Sequence, residues 1–385
     1  MKKPAPRLPR PRPLVECFGD LPDPRVARTR VHQLIDILVI GLCSMLTVGE
    51  GFTDMEFFGR TREAWLKTFL PLAHGIPSHD TFNRVFSALD PHRFLECFVA
   101  WAQEACPALQ GQVVAIDGKA LRRAADAGAS LPYIVSAWAA ASGLTLGQVK
   151  VDDKSNEITA IPELLRVLAL KGCIVTIDAM GCQKEIAGAI LDRGAAYVLA
   201  LKGNQGLAHD EFREYFDDAV PPGTTGPVRG IPPGTMDFCQ TLEKGHGRIE
   251  RRRCWQTTDL DWFHDKPLWK GLASVGLVES TRTVNGKRTV ERRLFLASLP
   301  LDARAFAQAV RQHWSVENPL HWSLDVTFRE DQSRARTRDA AQNLATLRRL
   351  ALNLLKHDRS RTFSVRQKRM LAAFDHQYLE RLLGV

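Results

Sequence analysis

Apolar positions recur at helical spacing up to about residue 110 and change to short strand-like runs beyond it. Val31–Val48 predicts one buried helix and Phe57–Phe69 a second. The turn His74-Gly75-Ile76-Pro77 separates the second from a third helix, capped by Ser78 and carried by Phe82, Val85, Phe86 and Leu89. A helix, a tight turn and a capped helix with His79, Asn83 and Arg84 on its outer face suit a helix-turn-helix reader of DNA. The same spacing also arises from packing alone.

After Gly111 the run Val113–Ile116 ends at Asp117, and Tyr133–Ala141 and Leu144–Val151 read as strands joined by the Ser142-Gly143 turn. Helix Ile158–Leu168, strand Cys173–Ile177, helix Gln183–Arg193, strand Tyr197–Leu201 and helix Gly206–Phe216 then alternate. Three consecutive strands followed by such alternation predict an α/β fold: a mixed sheet with helices on both faces. From about Pro221 a Gly/Pro-rich stretch leads into strands Arg248–Thr257, Leu272–Val278 and Val290–Ala297, with Asn285-Gly286 as a hairpin turn. This segment reads as a β-rich insertion. Helical spacing returns at Asp302–Val316 and Asp339–His357. The expected organisation is a basic Pro-rich arm (1–13), a small all-helical N-terminal domain (14–110), a first part of the core (111–220), the insertion (221–300), core helices (301–358) and a basic C-terminal segment (359–385).

Composition adds little except through charge. Of 385 residues 45% are hydrophobic and 25% charged, which excludes wholesale disorder and collagen. Fifty-two Lys+Arg against 43 Asp+Glu leave a net +9, and basic residues crowd both ends, as arms laid along phosphates would. Eight cysteines without a C-x-x-C pair point to free thiols in a reducing compartment. Leu34–Val48 is too short, and holds Asp36, so it reads as a core helix rather than a membrane span. A soluble, cytoplasmic, DNA-associated bacterial protein is the expectation.

The candidate chemistry lies in two acids. Asp117 and Asp178 each close a buried apolar run, at the strand edge where open α/β sheets place their sites. Two acids on neighbouring strands can share hard divalent cations through oxygen. Taken singly, either acid could merely turn the chain or cap a helix. Lys119, Arg122 and Arg123 follow the first acid and would suit a phosphate substrate, or serve as its salt-bridge partners.

Six motifs occur in order: Ala115–Lys119 (AIDGK), Lys154–Ile158 (KSNEI), Thr176–Met180 (TIDAM), Leu201–Gln205 (LKGNQ), Gly245–Glu250 (GHGRIE) and His313–Asn318 (HWSVEN). With Gly75–Phe82 upstream, the chain resembles the H-repeat-associated, ISAs-type insertion-sequence transposases of the DDE group over nearly its whole length. The resemblance implies a ribonuclease H-like catalytic core, with Asp117, Asp178 and Glu317 as catalytic and metal-binding carboxylates. It implies two Mg²⁺ ions, with Mn²⁺ as a substitute, and metal-dependent cleavage of DNA at element ends followed by strand transfer. Double-stranded DNA is the implied partner, held by a homodimer or larger synaptic assembly. Lys119, Arg122, Lys202, Asn204, Arg248, Arg311 and His313, in or beside those motifs, are the candidate DNA contacts.

The chain departs from the group's pattern around Glu317. Related transposases carry an Arg four residues before this Glu and a Lys seven after it; here those positions hold His313 and Leu324. Arg311 or Arg329 could take over. Pro319 predicts that the helix ends or kinks near Glu317. Glu157, Asp325, Glu330 and Asp331 compete for the third role. The spacing of His313, Glu317 and His321 suggests zinc, but Pro319 breaks the face it needs. Trp314 and Trp322 suit core packing or base stacking. Two other functions would use the same residues: a catalytically inactive DNA-binding relic or regulator, and a metal-dependent nuclease without strand transfer.

Overall fold

The computed structural model describes residues 11–106, 109–124, 131–151, 157–228, 232–245 and 247–385. Most of the basic arm, the start of the Lys154 motif and His246 lie outside the described residues. Helices α1 (Leu14–Gly19), α2 (Leu34–Leu46), α3 (Phe52–Thr61), α4 (Glu63–Leu66), α5 (His79–Ala88) and α6 (Pro91–Ala105) come first. Strands β1 (Val113–Ala120), β2 (Tyr133–Ala139) and β3 (Leu144–Val151) follow. Next are α7 (Glu157–Val167), β4 (Ile174–Ile177), α8 (Lys184–Asp192), β5 (Ala196–Leu201) and α9 (Gly206–Ala219). Strands β6 (Met236–Gly245), β7 (Arg248–Thr257), β8 (Ser274–Val284) and β9 (Lys287–Ala297) lead to α10 (Ala303–His313). A π-helical segment Glu317–Thr327, α11 (Ala340–His357), α12 (Val365–Phe374) and α13 (His376–Leu383) complete the chain. The fold is mixed α/β, with a large mixed sheet and flanking helices.

Two compact units share these elements. The second holds residues 109–117 and 157–315, the first everything else, so β1 passes from one to the other after Asp117.

In the second unit β4 lies parallel to both β1 and β5, as the alternation of strands and helices predicts. β9 then pairs antiparallel with β5, Val198 opposite Ala297 and Leu201 opposite Leu294. β8, β7 and β6 continue the sheet outward. The β-rich segment is therefore an extension of the main sheet rather than a sheet of its own. Its hairpin turn is where the sequence puts it: Asn285 and Gly286 both have positive φ, 48° and 77°, as a tight two-residue turn requires. β6 has no counterpart in the hydrophobic pattern. It is the outer strand and its residues are mostly exposed, so no apolar alternation marks it.

The first unit is built on α11. From Ala340 to Leu355 nearly every residue is buried, which requires neighbours on all sides. α2, α5, α6 and β3 supply them. Two buried asparagines fix the seating. Asn353 bonds both the N–H and the C=O of Thr145, at 2.9 and 2.8 Å, and Asn343 donates to the carbonyls of Phe86 and Leu89, at 2.9 and 2.8 Å. α11, expected with the catalytic-core helices, thus packs with the N-terminal helices. α2 is the buried core helix its apolar run predicts, and Ser78 caps α5 through Thr81 N–H. Among the described residues no helix is long and apolar enough to cross a membrane.

Candidate active site

The geometry of the acids follows from strand register. Val113 pairs with Ile174 and Ile116 with Ile177, so the next residue on each parallel strand is Asp117 and Asp178. Val114, Ala115, Ile116, Val175 and Ile177 are buried, whereas both aspartates are half-buried. Each charge sits where the buried apolar run gives way, after the end of β4 and within β1, which continues to Ala120. Asp178 also ends β4 structurally: its Oδ1 accepts from Met180 N–H at 3.1 Å and caps the turn Ala179–Gly181.

That turn is braced from two directions. Asn204 Nδ2 donates to the Ala179 carbonyl at 2.6 Å, and Gln205 Nε2 donates to the Cys182 carbonyl at 2.9 Å. The Leu201–Gln205 motif therefore holds the Thr176–Met180 motif in place. Gly181 packs so closely that an added Cβ would lie 2.4 Å from Ile177 Cγ2 and 2.9 Å from Ile161 Cδ1. Gly181→Ala is expected to cost about 1–3 kcal/mol by overpacking and to lower DNA cleavage by displacing Asp178. Thermal melting and cleavage assays on that variant check it, and an unchanged melting temperature would refute it.

His313 lies beneath the same strand. Its Nδ1 is 3.0 Å from Thr176 Oγ1, and only 7% of the residue is exposed. Burial pushes the imidazole down to about 4, against the pull of Asp178, so it is neutral at pH 7. Its place in the core argues for bracing β4 rather than meeting DNA. Trp314 is partly exposed and the Arg293 guanidinium stacks over its ring at 4.6 Å. Arg311 and Arg248 each meet an acid, Glu243 at 3.4 Å and Glu250 at 2.9 Å, while Lys202 is exposed. Glu157 is buried at the start of α7.

In the first unit Lys119 gathers the rival acids. Its Nζ lies 2.7 Å from Asp325, 3.0 Å from Asp331 and 3.3 Å from Glu330. Burial opposes the charge, but Glu330, Asp325 and Asp331 together hold its pKa above the usual lysine value. Arg122, largely exposed, reaches Asp331 at 3.3 Å. Glu330 is fully buried and accepts from Arg349 Nη1 at 2.9 Å. Three of the acids that compete with Glu317 are thus committed to cations. Glu317 itself is exposed, the first residue of the π-helical segment. The α-helix does end before it, at His313, as Pro319 predicts. Pro319 is the third residue of the π-helical segment, where the missing N–H has no intrahelical partner to lose. π-Helical turns are rare and concentrate at functional sites. Hydrophobic spacing gives no sign of the Lys119–Glu330–Arg349 cluster, because its members are far apart in sequence.

Acids directly after the paired residues of adjacent parallel strands, on a mixed sheet extended by a β-rich segment, define a class of protein. The chain belongs to the DDE transposase family: residues 109–354 match the family described as Transposase DDE domain, and residues 15–102 the one described as DDE_Tnp_1-associated. Divalent-metal dependence comes with that membership. Among its relatives, the H repeat-associated putative transposase YhhI of Escherichia coli strain K12 is 38% identical over 380 residues, 96% of this chain and 97% of that one. The putative transposase YncI of Escherichia coli O157:H7 is 39% identical over 377 residues, 96% and 94% of the two chains. A piggyBac transposase in a synaptic complex with hairpin DNA has a TM-score of 0.46 at 12% identity, over 96% of this chain and 76% of that one, too weak a likeness to support a functional statement.

Proposed function

We propose that this chain is a DNA transposase with a ribonuclease H-like core that cuts DNA at the ends of its element and joins the freed 3′ ends to target DNA. The observation that supports the reading is the register of β1 and β4, in which Asp117 and Asp178 directly follow the paired residues Ile116 and Ile177. Asp117, Asp178 and Glu317 form the carboxylate set. Their donors are hard oxygens, and the neighbouring His313 is neutral and engaged with Thr176, so the set suits Mg²⁺, or Mn²⁺, better than zinc. Bound Mg²⁺ would supply a water of lowered pKa and a counter-charge for the phosphate oxygens.

The chain's own residues do the rest. The Asn204 and Gln205 braces and the Met180 cap hold Asp178 in one orientation, and neutral His313 adds no competing charge beneath it. Lys119 ties up Asp325, Glu330 and Asp331, leaving Glu317 as the exposed candidate for the third carboxylate. Lys202, Arg248 and Arg311 sit on accessible surface as candidate phosphate contacts. Joining two DNA ends calls for at least two copies, so a homodimer or larger synaptic assembly on double-stranded DNA is part of the proposal.

Linear DNA carrying the gene's own flanks, incubated with the protein and Mg²⁺, tests it. Breaks mapped to the element boundaries, together with joined products, are expected. Breaks without joining would replace the transposase with a nuclease, and neither would leave an inactive DNA-binding relic.

A further inference from the structure

Between the π-helical segment and α11 runs a loop that the sequence motifs leave aside, Arg329 to Asp339. From Gln332 to Arg338 it carries three arginines and no acid. Its base is anchored unusually firmly. Glu330 is buried between Arg349 and Lys119, Asp331 meets Lys119 at 3.0 Å, and the Gln332 and Ser333 N–H groups bond back to the Arg329 and Glu330 carbonyls at 2.9 and 3.0 Å. At the far end Asp339 N–H reaches the Ser87 carbonyl and Ala340 N–H the Thr337 carbonyl.

Two non-glycine residues in the loop, Arg329 and Arg338, hold positive φ, 51° and 43°. Such backbone persists only where surrounding contacts enforce it, and it gathers at functional sites. The loop is therefore a rigid presenter rather than a slack connection. What it presents is guanidinium. Arg329 is spent on Glu50 at 3.3 Å, and Arg336 Nε donates to the Arg123 carbonyl at 3.1 Å. Arg334 and Arg338 point to solvent, with no ion pair among the described residues.

We propose that Arg334 and Arg338 form a binding site for the DNA phosphate backbone, preorganised by the buried Lys119–Glu330–Arg349 cluster. The proposal rests on the DNA reading above and adds the residues and the anchoring. Arginines carried on a fixed backbone lose less freedom on meeting phosphate than those on a slack loop, and each contact releases condensed counterions.

The test is fluorescence anisotropy of a duplex DNA across a salt series, with the full chain in EDTA so that cleavage does not intervene. Arg334→Ala with Arg338→Ala is expected to flatten the slope of log K against log[salt] by about 1.8, at about 0.9 per phosphate contact. Affinity should fall similarly on any sequence. The double Lys variant should recover most of the slope, because charge is kept. Thermal melting confirms that both variants fold; should the Ala pair fail to fold, Arg334→Gln alone serves, with a loss of about 0.9. Wild-type binding with an unchanged slope in the folded variants overturns this site alone. A wild-type chain without salt-dependent DNA binding overturns the DNA reading with it.

Discussion

Asp117→Ala and Asp178→Ala are each expected to lower the proposed DNA cleavage and joining by about 10³-fold or more, a barrier increase of about 4 kcal/mol, with binding to end DNA within about twofold of wild type. That split follows from the proposed role of the two carboxylates, which hold metal and do not grip DNA. Asp178 needs a finer test because its Oδ1 also caps the Ala179–Gly181 turn. Losing a cap costs about 1 kcal/mol of stability, so the Ala variant mixes two effects. Asp178→Asn separates them, since the amide oxygen still accepts from Met180 N–H but carries no charge. The expected result is near wild-type stability with activity as low as in Asp178→Ala. Glu317→Ala should match the aspartate variants. Wild-type cleavage in any of these would remove that residue from the set.

Glu330→Ala is expected to destabilise the protein by about 3–5 kcal/mol, because it strands the buried Arg349 guanidinium, and Arg349→Ala by less, because Lys119 still meets Glu330 at 3.3 Å. Both side chains are fully buried, and they meet at 2.9 Å. Replacing both together, Glu330→Met with Arg349→Leu, should cost less than Glu330→Ala. Thermal melts of the three proteins give the answer; a double variant worse than both singles would contradict the argument. pH gives an independent check. Burial tends to raise the Glu330 carboxyl, but Arg349, Lys119 and Arg348 override it and hold it at about 2. Its unfolded value is about 4.3. The folded pKa is depressed, so the unfolded chain binds more protons between those values and stability rises with pH there. The contribution is complete above about pH 5 and is lost as pH falls through about 2. In Glu330→Ala that part of the acid sensitivity should disappear.

Local chemistry writes down some features of this fold and leaves others silent. α2 is legible because a core helix needs an unbroken apolar run, and α5 because a serine cap and period-four apolar positions coincide. β4, β5 and the β8–β9 turn are legible for similar reasons, a short β-rich run or an Asn-Gly pair. β6 is silent because an exposed outer strand buries almost nothing and is held by its ladder to β7. The placement of α11 is also silent, since a helix buried on every side carries no stripe to say which neighbours it will choose.

The candidate site divides in the same way. Sequence alone determined that Asp117 and Asp178 would close buried apolar runs, because an aspartate cannot sit unpaired inside such a run, and its ordered motifs carried the family; only Asp178 also ends its strand, since β1 continues to Ala120. Only tertiary structure decided that β1 and β4 are neighbours in register, that Asn204 and Gln205 brace the turn after Asp178, and that His313 is buried beneath β4. It also committed Asp325, Glu330 and Asp331 to Lys119, more than 200 residues earlier in the chain. The reason is physical: periodicity and capping act over a few residues and are written in local sequence. Strand pairing and buried ion pairs depend on which distant segments come together, and are settled only when the core closes.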